Sequence, residues 1–160
     1  MYPLLDHGEG IDLAFWRQRL EEIDSEHVSQ PMSALKKQSI DFPKIYKHVL
    51  YLVPTNSNPI GHTISYDARV KIVELARQFD VLVIADDVYD FLRWPKEEHS
   101  RSGTLEPPIP RLVDIDRSLQ GGSPFGNSIS NGSFSKIVAP GMRVGWVEGA
   151  PSFIKMVEAV

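Results

Sequence analysis

The chain of 160 residues contains no cysteine. Disulfide frameworks and thiolate metal sites are therefore excluded, and the composition fits a reducing compartment, so a cytoplasmic location is expected. No run of five or more basic residues occurs and the formal net charge is −4. Nucleic-acid binding thus has no electrostatic support. The longest apolar runs are about five residues, far short of the roughly 20 that a membrane-spanning helix needs. The opening residues, Met1-Tyr2-Pro3-Leu4-Leu5-Asp6, carry neither a basic segment nor an apolar stretch of signal-peptide length. The five histidines, His7, His27, His48, His62 and His99, show no paired metal-ligand spacing, so no metal is expected. Neither a Walker-A sequence nor a Gly-x-Ser-x-Gly elbow is present.

What the chain does contain is 42% hydrophobic and 24% charged residues, the balance of a soluble globular domain, at a length that can bury one core. Its pattern alternates between helix and strand. Asp12 can cap a helix to about Ile23, with Leu13, Trp16, Leu20 and Ile23 on one face. Residues up to about Lys47 are polar and poorly patterned. Val49 to Val53 reads as a strand, and Pro54 to His62 as a loop. Ser65 can cap a second helix to about Phe79, buried through Ile72, Leu75, Ala76 and Phe79. Val81 to Ala85 is a β-branched run with no polar face, the mark of a strand covered on both sides. Strand, helix and strand at this spacing predict a parallel βαβ unit. Trp94 to Asn127 reads as a long loop holding one short strand at Leu112 to Ile115. Ser128 to Gly132 and Arg143 to Val147 are further strands. Pro151 opens a helical pattern through Phe153, Met156, Val157 and Val160. The expected fold class is α/β, a mainly parallel sheet with flanking helices. Ligands of open α/β sheets bind beyond the carboxyl ends of the strands. Asn58 and Asp86 fall at that edge.

Chemistry concentrates in Gly132-Ser133-Phe134-Ser135-Lys136-Ile137-Val138-Ala139-Pro140-Gly141-Met142-Arg143-Val144-Gly145-Trp146. Lys136 is the only lysine between Lys96 and Lys155, it has apolar neighbours, and Arg143 follows seven residues later. Burial and a nearby cation both disfavour an ammonium, so its pKa is expected to fall from about 10.4. A neutral lysine amine can form a Schiff base with a carbonyl. The serines and Arg143 can hold an anion such as a phosphate.

This stretch resembles the lysine motif of fold-type I pyridoxal-phosphate (PLP) enzymes, in particular class I/II aminotransferases. Asn58-Pro59-Ile60-Gly61 is similar to the family's Asn-Pro-Thr-Gly turn, with Ile60 departing from the usual threonine. Asp86-Asp87-Val88-Tyr89 matches its Asp-x-x-Tyr. The resemblance runs from about Gly10 to Val160 and is vaguest between Lys96 and Asn127. It implies that Lys136 forms the Schiff base with PLP and moves the proton between substrate Cα and cofactor C4′. Asp86 would keep the pyridine nitrogen protonated. Tyr89 and Asn58 would hydrogen-bond the phenolic oxygen, and Ser133, Ser135 and Arg143 would bind the phosphate. Each residue also has a plainer reading: a lysine snorkelling from a strand end, an Asn-Pro turn, a strand-end arginine. Asp87 is expected to serve as a strand-end cap or surface pair.

The implied activity is amino-group transfer from an amino acid to a 2-oxo acid. The wording of the lysine motif is similar to the branch that handles 2-aminoadipate, kynurenine, aromatic or branched-chain substrates. The alternatives are a PLP-binding regulatory module and a non-catalytic aminotransferase fragment. The resemblance further implies that residues 1–160 are the middle of a PLP-binding large domain, lacking an N-terminal portion and a C-terminal small domain. A homodimer is expected for the full-length protein, and weak PLP binding with no efficient turnover for this chain alone.

Overall fold

The computed structural model describes residues 10–27, 43–93 and 107–158. The expectations for residues 1–9, for the poorly patterned stretch 28–42, for the Trp94 end of the long loop and for Val160 lie outside the described residues.

Helix α1 spans Leu13–His27. Asp12 caps it by accepting a hydrogen bond from the Phe15 backbone N–H at 2.9 Å. Trp16 and Leu20 form its buried stripe. The helix runs past Ile23, because the residues beyond it are polar but include neither Gly nor Pro to stop it. Strand β1, His48–Leu52, leads through a loop to α2, Tyr66–Gln78. The Ser65 hydroxyl accepts from Ala68 N at the start of α2, and Phe79 closes it. Strand β2, Val81–Asp86, follows. Then come α3 (Leu112–Ser118), β3 (Ser128–Ser133), a 3-10 turn (Pro140–Met142), β4 (Gly145–Glu148) and α4 (Pro151–Glu158).

The described strands form a four-stranded sheet in the order β1-β2-β3-β4. β1, β2 and β3 are parallel, and β4 runs antiparallel to β3. One face packs against the helices. Leu50, Val81, Val83 and Ala85 meet Ile72, Val73, Leu75, Ala76, Leu112 and Ile115 in a single core. Burying each of the larger side chains contributes about 1.5–3 kcal/mol. Buried Asp116 ties α3 to the start of β3: its carboxylate accepts from Asn127 N and Ser128 N and pairs with Arg77 of α2. That anchorage fixes where β3 emerges at its far end.

Two expectations are corrected here. Leu112 to Ile115 begins a helix, not a strand. Leu112, Val113, Ile115 and Asp116 are the buried residues of α3, a spacing that becomes helical only when Asp116 is counted as an inward-facing position. Among the described residues β2 is also not covered on both sides. Its residues alternate between buried and half-buried, and on the same second face Val49 and Tyr51 are 65% and 60% exposed. The apolar run reflects a face left open among the described residues. Among those residues no helix is long and apolar enough to cross a membrane.

Candidate active site

The parallel ladder sends the loops after β1, β2 and β3 out at one sheet edge, where the sequence places its polar residues. The loop after β1 is held from beneath by Arg69 of α2, which is 1% exposed. Its guanidinium donates to Ile64 O at 3.0 Å, Pro110 O at 3.1 Å, Pro54 O at 3.0 Å and Thr55 Oγ1 at 2.8 Å. Asn56, in the left-handed region at φ 49, donates from Nδ2 to Leu92 O at 2.7 Å. It thereby links the loop carrying Asn58 to the turn carrying Tyr89. Asn58, Pro59 and Ile60 are exposed at the loop tip.

Asp86 ends β2, and both of its oxygens are engaged. The Tyr51 hydroxyl donates to Oδ2 at 2.6 Å, and Asn131 Nδ2 donates to Oδ1 at 3.1 Å. The hydrogen bond to Asp86, followed by burial, pushes the Tyr51 phenol up to about 12. Asp87 turns the opposite way and is 2% exposed. It accepts from the Ser130 hydroxyl at 2.6 Å, and its backbone N–H donates to Asn131 O at 2.9 Å. The surface role expected for Asp87 is therefore corrected: alternation along β2 makes Asp86 and Asp87 face opposite sides of the sheet. Burial is the main cause that pushes the Asp87 carboxyl up to about 6, with Ser130 and the charges of Arg69 and Arg111 pulling it back.

β3 delivers the lysine motif. Gly132 faces Trp146 of β4 in the ladder, and a Cβ at Gly132 would lie 2.2 Å from Trp146 Cε2. The Trp146 indole also packs on Phe134, with ring centroids 4.9 Å apart. Gly132→Ala must displace that indole and is expected to cost about 1–3 kcal/mol. Urea unfolding and the near-ultraviolet signal of the tryptophans measure it. An unchanged midpoint with an unchanged tryptophan signal would show that the strand accommodates the methyl.

After Ser133 the chain turns through residues 134–138. The Ser133 hydroxyl shapes this turn, accepting from Ser135 N at 3.1 Å and donating to Val144 O at 3.4 Å. Lys136 projects so that Nζ lies 6.0 Å from the Tyr89 ring centroid. Lys136 is exposed, which corrects the expectation of an apolar envelope. The neighbours that suggested burial point to solvent: Ile137 and Val138 are 38% and 63% exposed. Phe134 turns inward, onto Trp146. Arg143 is exposed and left-handed at φ 50, two residues before β4 begins, so it is not a strand residue. Among the described residues no hydrogen bond or ion pair joins Asn58 or Arg143 to the others. The structure thus brings Asp86, Tyr89 and Lys136 to one edge, with Lys136 directed at Tyr89. Tyr51 and Asn131, which the sequence reading did not single out, complete the surroundings of Asp86. Their signal lay in register: Asn131 pairs with Asp86 and Tyr51 with Ile84.

The sequence matches the family described as "Aminotransferase class I and II" over residues 9–160. The chain belongs to that family. It is 31% identical over 156 residues to aromatic-amino-acid aminotransferase 1 of Thermococcus litoralis, an alignment covering 98% of this chain and 29% of that protein. Among solved structures it is similar to a multiple substrate aminotransferase from Thermococcus profundus, with a TM-score of 0.67 at 32% identity over 98% of this chain and 30% of that one. It is also similar to Pyrococcus horikoshii kynurenine aminotransferase in complex with PMP, with a TM-score of 0.63 at 32% identity and the same two coverages, 98% and 30%. The chain spans less than a third of the length of these relatives.

Proposed function

We propose that this chain is the central part of the PLP-binding large domain of an aminotransferase that moves an amino group from an amino acid to a 2-oxo acid. The observation that carries the reading is the pairing of two features at one sheet edge. A carboxylate is held at both oxygens at the end of β2, and a lysine amine from the next strand's exit is directed at Tyr89. The donor set fits PLP group by group. Asp86 suits a protonated ring nitrogen, the Lys136 amine an aldehyde carbon, and Tyr89 and Asn58 a phenolic oxygen. The hydroxyls of Ser133 and Ser135 with the Arg143 guanidinium suit a phosphate.

PLP, when bound, supplies an electron sink for the electrons of a substrate Cα–H bond. The protein does the rest. Asp86 would hold the proton on the ring nitrogen; a carboxylate about 4 Å from such a cation is worth about 4 kcal/mol at an effective dielectric near 20. Lys136 would hold the cofactor through its amine and would carry the proton from the substrate Cα. Relatives named for aromatic amino acids and kynurenine support an aromatic amino acid as donor substrate. A homodimer is proposed for the full-length protein.

Titration of the chain with PLP, followed by visible absorbance, tests the reading. Saturable binding is expected, weakened about tenfold or more by Asp86→Asn, since a charge-assisted contact is lost. Equal affinity in the two proteins would remove Asp86 from the site and with it the proposed arrangement.

A further inference from the structure

We propose that Tyr51 and Asn131 are positioning residues for Asp86: donating from the strands on either side, they fix the plane of its carboxylate so that its free lone pairs meet a protonated ring nitrogen. The proposal rests on the PLP reading above and deepens it.

The sheet itself makes this cradle. Asn131 is the ladder partner of Asp86 on β3, and Tyr51 pairs with Ile84, two residues before Asp86. Side chains alternate along a strand, so Tyr51, Asp86 and Asn131 share one face. Tyr51 sits diagonally from Asp86, within reach of a long aromatic side chain. An ionised carboxylate offers about four lone-pair sites on two oxygens. Tyr51 takes one on Oδ2 at 2.6 Å and Asn131 one on Oδ1 at 3.1 Å. Donors on both oxygens oppose rotation of the carboxylate while leaving each oxygen a site free. Both donors are neutral, so the cradle orients the negative charge without cancelling it. The phenol keeps its proton at any ordinary pH, because the Asp86 hydrogen bond and burial raise it to about 12. Asp87, which faces the other side of the sheet and takes Ser130 instead, has no such pair among the described residues.

The test combines a cofactor-free arm with a cofactor arm on the whole chain. In the first, tyrosine labelled at Cζ is followed by NMR against pH without PLP. Tyr51 is expected to titrate near 12 in the wild type and to move toward its ordinary 10.0 in Asp86→Asn. In the second, PLP affinity and the pH profile of bound-PLP absorbance are measured for Tyr51→Phe and Asn131→Ala, alone and combined with Asp86→Asn. Each single substitution should weaken binding about tenfold and move the profile, with the urea midpoint unchanged. Neither should add to Asp86→Asn, since both act through that carboxylate. Undiminished effects in the Asp86→Asn background, or an unmoved Tyr51 titration, would overturn the proposal. An intact Tyr51–Asp86 coupling in a wild type that binds no PLP would overturn the functional reading, leaving the cradle a surface hydrogen-bond pair without a cofactor role.

Discussion

Arg69→Met is expected to destabilise the chain by about 3–5 kcal/mol, as removal of one member of a buried charge cluster does. Arg69 is 1% exposed, and its four hydrogen bonds reach three backbone carbonyls and the Thr55 hydroxyl. Methionine retains the packing volume but takes the guanidinium donor from Ile64 O and Pro110 O and leaves Pro54 O with the Ile64 N–H alone, and an unsatisfied buried polar group costs about 1–3 kcal/mol. It also removes the cation that faces Asp87 and Asp90. Lysine should restore only part of the loss, because one ammonium cannot reach the Ile64, Pro110, Pro54 and Thr55 oxygens together as the guanidinium fork does. The consequence reaches the site, since Pro54 and Thr55 begin the loop that carries Asn58 at its tip. Urea unfolding followed by circular dichroism checks the magnitude. A loss below about 1 kcal/mol would show that water replaces the guanidinium and that the loop is not anchored there.

Asp87→Asn is expected to stabilise the chain above neutral pH. Burial raises the folded Asp87 carboxyl from 3.8 to about 6, so between those values the folded chain holds a proton that the unfolded chain releases. Stability therefore falls as pH rises through this window. The full penalty above it is about 3 kcal/mol, from roughly two pH units at 1.36 kcal/mol each. Asparagine cannot ionise and can still accept from Ser130, so the variant should gain up to that amount at pH 7.5 and match the wild type near pH 4. Asp114 and Glu148, which Arg111 holds low, contribute stability that is lost as pH falls. They are present in both proteins and drop out of the difference. Denaturation midpoints of the two proteins at several pH values decide it. Parallel curves, or a variant less stable at pH 7.5, would mean that Arg69 holds Asp87 ionised in the fold.

Much of the architecture was legible in the sequence because the apolar periods are long where they matter. α1, α2 and the first two strands follow from their caps and buried stripes, and the parallel βαβ unit from their order. α3 was missed because Leu112-Val113-Asp114-Ile115 is too short to show a period, and its inward Asp116 looks like a surface residue until Asn127 and Ser128 are seen to bond it. Asp86, Tyr89 and Lys136 were found through local motifs. Tyr51 and Asn131 were not, because their relation to Asp86 exists only once register is known. The burial expected for Lys136 failed for a related reason. Apolar neighbours along the chain enclose a side chain only if the turn folds them over it, and here Ile137 and Val138 point outward. Whatever distinguishes Lys136 from other surface lysines in this chain must come from groups that hold a ligand beside it.

That distinction can be measured directly. The chain is mixed with PLP, reduced with borohydride to fix any imine, and the labelled lysines are located by peptide mass spectrometry. The account predicts that Lys136 is labelled first and saturably, well ahead of Lys44, Lys47, Lys71 and Lys155, and that Lys136→Ala loses this fast fraction while Asp86→Asn slows it. Label spread evenly over the lysines, with no saturable fraction lost in Lys136→Ala, would contradict a PLP site on this sheet edge.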